Sequence, residues 1–242
     1  MGTSSSYTPP TTGNWGNIKR TLSSIIDSPT FQKGKAIGAI GAFVSEKGGG
    51  GSATQSSYSK WAGPAKSVSK DIAGFFSDVG RFGIAEALER RGLGTLVGKS
   101  FDEIVSGIID TFGGNANTRD ETNARRALDK AMDKLFENMN PDSDIERVLI
   151  DLSSTDLFNS FLLNFLGYYI YEEFNSTYEE FLKTKTSDDN FEDFMRGIED
   201  TILAAVENKA LDLDISTVNW NEEQGQDVID NIMVEVFEIF GG

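Results

Sequence analysis

Helical periodicity is the feature of this sequence that most constrains its fold. Apolar residues recur three and four positions apart in one segment after another, which places them on one face of an α-helix. The segment from about Glu222 to Phe240 has the following inner face: Val228, Ile229, Ile232, Met233, Val236, Phe237 and Phe240. No segment alternates apolar and polar residues between turn signals, as a half-buried strand does. We therefore predict an all-α fold with a multi-helix, bundle-like body.

Capping and breaking residues divide the chain into predicted helices. Their approximate ranges are 14–27, 29–46, 64–91, 100–112, 118–138, 144–185 with a break near 153–154, 189–209 and 222–240. Three pairs predict a cap at a helix start: Ser100 with Glu103, Thr118 with Glu121, and Asn221 with Gln224. Pro29 suits a first helical position, with Ser28 as its cap.

The same signals divide the chain into four parts. Residues 1–13 are predicted to be a flexible N-terminal tail, 14–47 a Gly-interrupted helical segment, 48–63 a flexible Gly/Ser linker, and 64–242 an all-α body with an acidic C-terminal half. The GGGGS run is either a natural loop or an engineered linker. Within the second part, Gly34, Gly38 and Gly41 let another backbone approach closely. We expect their helix to pack tightly or to be marginally stable.

Charge is distributed unevenly along the chain, whose net charge is −16. Residues 1–100 contain 12 basic and 6 acidic residues, whereas residues 101–242 contain 10 basic and 32 acidic residues. The acidic part should be repelled by phosphates, so we expect no direct binding of nucleic acid. Either a basic protein partner complements this charge, or the acidic surface is simply solvated.

Missing residue types argue against catalysis. The chain has no Cys and no His, which excludes disulfides, thiolate metal sites and Ser-His or Cys-His dyads. Carboxylates, Lys, Tyr, or Mg²⁺ held by Asp and Glu remain possible. Adjacent acids such as Glu172-Glu173 point about 100° apart on a helix, so we interpret such pairs as solvated helix faces. We expect no enzymatic activity, no catalytic residue, no cofactor and no metal.

The segment Gly98-Lys99-Ser100 is similar to the end of a P-loop. The first Gly of that motif would fall on Leu93, and the segment follows a predicted helix instead of a strand. A loop of the wrong length loses the backbone N–H groups that surround a phosphate. We therefore interpret the segment as a Gly-rich turn before a capped helix.

Membrane insertion is not favoured by the hydropathy pattern. The most apolar stretch, from Leu157 to Tyr171, has about 15 residues, and a spanning helix needs about 20. It is predicted to be a buried core helix. No secretory signal is visible, so we expect a cytoplasmic protein. The helix at 29–46, with Lys33 and Lys35 near its start, supplies an alternative function as a membrane-active effector.

The start of the chain carries a candidate reactive group. Gly2 is small, so removal of Met1 should expose a glycine α-amine, part of which is a free nucleophile at neutral pH. The same start matches the N-myristoylation pattern through Gly2 and Ser6. An unmodified tail is the default alternative.

Four segments, in this order, resemble the QatB family of the bacterial Qat anti-phage system. They are MGTSSSY at the start, GGGGSA from residue 48, GLGTLVGKSFDEIVSGIIDTFGG at 92–114, and DETNARRALDKAMDKLF at 120–136. The likeness covers roughly residues 1–140. It implies three partners: an ATPase (QatA), a QueC-like enzyme (QatC) that would bind this chain directly, and a TatD-like nuclease (QatD).

This resemblance also implies a role for the N-terminus. QueC enzymes use ATP to activate a deazapurine carboxylate and form an amide or a nitrile, so such an enzyme needs an amine acceptor. Gly2, after loss of Met1, looks like that acceptor and would carry a deazaguanine-type adduct. The stem that enters the partner's active site would be Thr3, Ser4, Ser5 and Ser6.

Overall fold

A computed structural model describes residues 13–48, 55–137, 149–151, 153 and 155–241. The helices are α1 (Gly13–Ile26), α2 (Lys33–Glu46), α3 (Gln55–Phe82), α4 (Ile84–Arg90), α5 (Phe101–Phe112), α6 (Arg119–Phe136), α7 (Thr155–Lys183), α8 (Asp188–Glu207) and α9 (Glu223–Gly241). Two short 3-10 turns lie at Gly94–Leu96 and Ile215–Thr217. These ranges contain no strand, and the all-α fold is confirmed.

Helix α7 forms the centre of the bundle. Every residue from Phe161 to Tyr171 is buried except Asn164, which is half-buried. A helix that is apolar on all sides is stable in water only inside a protein, and α7 packs most extensively against α6 and α8. The prediction of a buried core helix in this stretch is confirmed.

Two of the three predicted caps form. The Ser100 hydroxyl accepts from the Glu103 backbone N–H while the Glu103 carboxylate accepts from the Ser100 N–H, and Thr118 and Glu121 form the same reciprocal pair. The third prediction is wrong. The Gln224 carbonyl oxygen accepts from the backbone N–H of Asn219 at 3.1 Å instead of from Asn221.

The predicted start of α2 is also wrong. The helix begins at Lys33 instead of Pro29, and the Ser28 hydroxyl accepts from the Gln32 amide at 2.8 Å instead of capping the helix. The Phe31 ring meets Phe194 of α8 edge-on at 6.0 Å. This contact between distant parts of the chain keeps the residues before α2 out of the helix.

Helix α3 begins earlier than predicted. Its first residue is Gln55, so Pro64 lies inside the helix and not at its first turn. Trp61 and Ala62 are buried, with 5% and 1% of their surfaces exposed. The single predicted helix over 64–91 is divided at Gly83, whose φ of 79° is a conformation that glycine adopts readily.

The glycines of α2 have different surroundings. A Cβ atom at Gly41 would overlap the backbone carbonyl oxygen of Phe240 in α9, whereas a Cβ at Gly34 or Gly38 would meet nothing within 4 Å. The expectation of a close backbone approach is therefore confirmed at Gly41 alone.

We expect alanine at these two sites to change stability in opposite directions. Alanine is the better helix former by about 1 kcal/mol, so Gly38→Ala should raise the free energy of unfolding by about 0.5–1 kcal/mol. Gly41→Ala should lower it by about 1–3 kcal/mol, because α9 must move away. Urea unfolding of both variants measures this difference. A gain in stability for Gly41→Ala would show that α9 does not pack against this glycine.

Candidate functional site

The residues predicted to be modified or presented to a partner are Gly2, Thr3, Ser4, Ser5 and Ser6. All of them lie outside the described residues. The described chain starts at α1, so the structure bears on this site through the way α1 is held.

Helix α1 is attached to the C-terminal half of α7. The Trp15 ring stacks on Tyr178 with centroids 4.9 Å apart and planes 20° apart. The Lys19 ammonium lies 4.7 Å from the Trp15 ring centre and 4.5 Å from that of Phe181. Such cation–π contacts stabilise by about 0.5–1 kcal/mol each at partly exposed sites. Helix α1 is therefore held at a defined position on the body through Trp15 and Lys19.

Glu172 and Glu173 are buried, and the interpretation of this pair as a solvated face is wrong. Only 4% and 0% of their surfaces are exposed. The Glu173 carboxylate accepts from the Lys47 ammonium at 3.0 Å and from the Asn123 amide at 2.7 Å. Burial raises the pKa of the Glu173 carboxyl, and the nearby Lys47 charge opposes that shift.

The second carboxylate of the pair is also compensated. The Glu172 carboxylate lies 3.4 Å from the Lys130 ammonium and 3.9 Å from the Arg126 guanidinium. Lys130 also pairs with Glu199 of α8 at 2.9 Å. Burial raises the pKa of the Glu172 carboxyl, and Lys130 opposes this shift. These paired charges connect α6 to α7 and α8, which is a structural role.

Buried tyrosines beside these acids are poorly suited to proton transfer near neutral pH. Burial and the neighbouring Glu199 raise the pKa of Tyr168 to about 12. Burial also raises the pKa of Tyr169, whose hydroxyl donates to the backbone carbonyl of Trp61. In the described ranges, no group of three or more acidic residues could hold a metal ion.

The segment Gly98-Lys99-Ser100 is a turn before a helix, as its interpretation predicted. Gly98 has a φ of 76°, and Ser100 is the cap of α5. The Lys99 ammonium lies 3.6 Å from the Glu103 carboxylate.

The apolar side of α2 is buried in the core of the protein. Ile40, Phe43 and Val44 are each at most 2% exposed, while Ile37 is 41% exposed. No helix among the described residues is long and apolar enough to cross a membrane. These observations do not favour the membrane-active alternative for residues 29–46.

The described residues thus form a helical core in which two buried carboxylates have basic partners, and α1 is attached to this core. Comparison with curated proteins and with solved structures yields no match. One family profile, described as Qat anti-phage system associated protein QatB, matches residues 48–240. That range covers well over half of the chain and includes α3 to α9. The chain therefore belongs to the QatB family.

Proposed function

We propose that this chain is a non-catalytic component of bacterial anti-phage defence whose N-terminal glycine is modified by a QueC-like partner enzyme. Membership of the QatB family supports the defence role. The observation that carries the finer proposal is the Met1-Gly2 start, which precedes a helix attached firmly to the body. The matched range begins after α2, so the proposal for Gly2 rests on the Met1-Gly2 start and on the resemblance of the N-terminal segment to the QatB family.

The proposed reaction forms an amide bond. The partner uses ATP to activate the carboxylate of a deazapurine. The Gly2 α-amine attacks the activated carboxyl carbon and loses a proton, and the leaving group that ATP supplied departs. The chain contributes the nucleophile, and the partner contributes the catalytic groups. This division of roles agrees with a sequence that contains neither Cys nor His.

Attachment of α1 sets how far Gly2 can reach. Eleven peptide steps join Gly2 to Gly13, and an extended chain spans at most about 3.5 Å per residue, or about 38 Å in total. The partner must hold its active site within that distance of the α1 start. A partner that binds the helical body near α1 would satisfy this limit. The other proposed partners, the ATPase QatA and the TatD-like nuclease QatD, would act with this pair in the bacterial cytoplasm.

Gly2→Pro tests this proposal in cells that carry the complete defence operon. The proline nitrogen is a hindered secondary amine, so the adduct should not form, and phage should plate as on cells that lack the gene for this chain. Ser5→Ala, which leaves Gly2 unchanged, is the matched control and should retain protection. Full protection by Gly2→Pro would refute the proposal.

A further inference from the structure

A cleft of about 890 Å³ lies between α5, α6, α7 and α8. Its apolar lining consists of Phe101, Val105, Ile109, Phe136, Tyr168 and Leu203. Phe101 and Phe136 contact each other edge to face, with centroids 4.5 Å apart and planes at 88°. All six are half-buried or buried. We call this group the cleft floor, and its size is typical of a site that takes a ligand or a few side chains.

Five carboxylates surround this floor. The cleft rim consists of Asp102, Asp129, Asp133, Glu137 and Asp200, all of which are exposed. None of the five forms an ion pair with another described residue. Asp129 and Asp133 lie four residues apart on α6, and Glu137 follows at the same spacing directly after the helix ends. Like charges at this spacing destabilise a helix by about 0.2–0.5 kcal/mol per pair.

The two lysines of the cleft do not neutralise this rim. The Lys130 ammonium is held by Glu199 at 2.9 Å and by Glu172 at 3.4 Å. The Lys134 ammonium pairs with Glu207 and donates to the Asn164 carbonyl oxygen at 3.2 Å. Both cations therefore already have carboxylate partners. No described lysine or arginine neutralises the five carboxylates of the cleft rim.

We propose that this cleft binds a basic amphipathic segment of a partner protein. Lys and Arg on one side of the segment would pair with the cleft rim, and apolar side chains on its other side would pack on the cleft floor. Phosphate backbones would be repelled by the rim, which argues for a protein partner over a nucleic acid. This inference extends the proposed function, because it identifies a surface on which a partner could hold the helical body.

The two parts of the cleft should contribute to binding differently. Rim charges attract the partner over a distance, and this attraction is screened by salt. Contacts with the floor depend on apolar area removed from water, and salt weakens them little. Binding should therefore weaken as salt rises and still be measurable at high salt.

Fluorescence anisotropy with the full chain tests the proposal. The probe is a labelled helical peptide with Lys on one face and Leu on the other. We expect it to bind, whereas a scrambled peptide of the same composition and a peptide with Glu in place of Lys should not. Asp129→Asn with Asp133→Asn should weaken binding about tenfold at low salt and less at high salt. Val105→Ser should weaken it at both.

Matched variants separate cleft binding from general attraction to an acidic protein. Asp227→Asn with Glu238→Gln removes two exposed charges from α9, which contributes nothing to the cleft. This pair should leave the affinity unchanged, and thermal unfolding should show that every variant is folded. Equal weakening by the α9 pair, or equal binding of the scrambled peptide, would overturn the proposal. A stable dimer of the chain that the rim variants dissociate would overturn it in favour of a second copy.

Failure here and failure of the proposed function are distinguishable. The peptide measurement does not involve Gly2, and the Gly2→Pro plating experiment changes no residue of the cleft.

Discussion

Replacing Lys47 by methionine is expected to lower the free energy of unfolding by about 3 kcal/mol. Removing one partner of a buried ion pair leaves a charge without compensation, which typically costs about 3–5 kcal/mol. The Glu173 side chain is fully buried, while that of Lys47 is 20% exposed. Arg119 remains 3.9 Å from Glu173, so we expect the lower end of this range.

The loss of folding stability caused by Lys47→Met should depend on pH. Burial raises the pKa of the Glu173 carboxyl above its ordinary value of 4.5, so the folded protein binds this proton more tightly than the unfolded chain. Ionisation of Glu173 therefore destabilises the fold, and its cost grows as pH rises through the folded pKa. Without the Lys47 charge that pKa rises further. The variant should be least stable near neutral pH and recover as pH falls towards 4.5.

Urea unfolding at several pH values measures this effect. The double variant Lys47→Met with Glu173→Gln is the control, because a neutral amide can still accept the hydrogen bond from Asn123. It should lose much less stability than Lys47→Met alone, and its stability should change less with pH. If the single and double variants are equally destabilised, the buried charge is not the cause.

Replacing Trp61 by alanine is expected to lower the free energy of unfolding by about 4 kcal/mol. The Trp61 ring stacks on Tyr169 at 5.7 Å and lies 4.9 Å from Phe237 of α9. Its loss leaves a cavity where α3, α7 and α9 meet. Trp61 lies in the range that the sequence predicts to be a linker. In a linker, replacing this side chain would change the free energy of unfolding very little.

Trp61→Phe is the matched control for this prediction. The indole Nε1 is buried and has no hydrogen-bond partner within the described residues, so losing its N–H leaves no acceptor unsatisfied. The ring contacts are kept in part, and a loss of only about 1 kcal/mol is expected. Thermal or urea unfolding compares the two variants. A neutral Trp61→Ala would show that this part of α3 does not pack on the body.

Features set by neighbouring residues could be predicted from the sequence. The two capping boxes join residues three positions apart, and the apolar face of α9 repeats at helical spacing, so each signal is local. The start of α2 could not be predicted, because it depends on contact between Phe31 and Phe194. One pattern in the sequence does indicate that Glu172 and Glu173 are buried. Phe174, Tyr178 and Leu182 continue the apolar pattern beyond them, so the pair lies within a buried helix.

The two candidate sites, Gly2 and the cleft, also differ in how far the sequence predicts them. The proposal for Gly2 rests on the sequence, since the Met1-Gly2 start offers an exposed amine and the resemblance to the QatB family implies an enzyme that uses it. The cleft could not be predicted, because its floor and rim join residues from four helices that only packing brings together. The paired ammonium groups of Lys130 and Lys134, which leave the rim charges unmatched, are likewise visible only in the structure.

The intact mass of the chain, purified from cells that express its operon, tests the central claim most directly. We predict loss of Met1 and an added mass equal to one deazapurine acyl group, which fragmentation places on Gly2. The addition should be absent when the QueC-like enzyme is inactivated by mutation. A chain that keeps Met1, or that carries an unmodified Gly2 when the partner is active, would contradict the account.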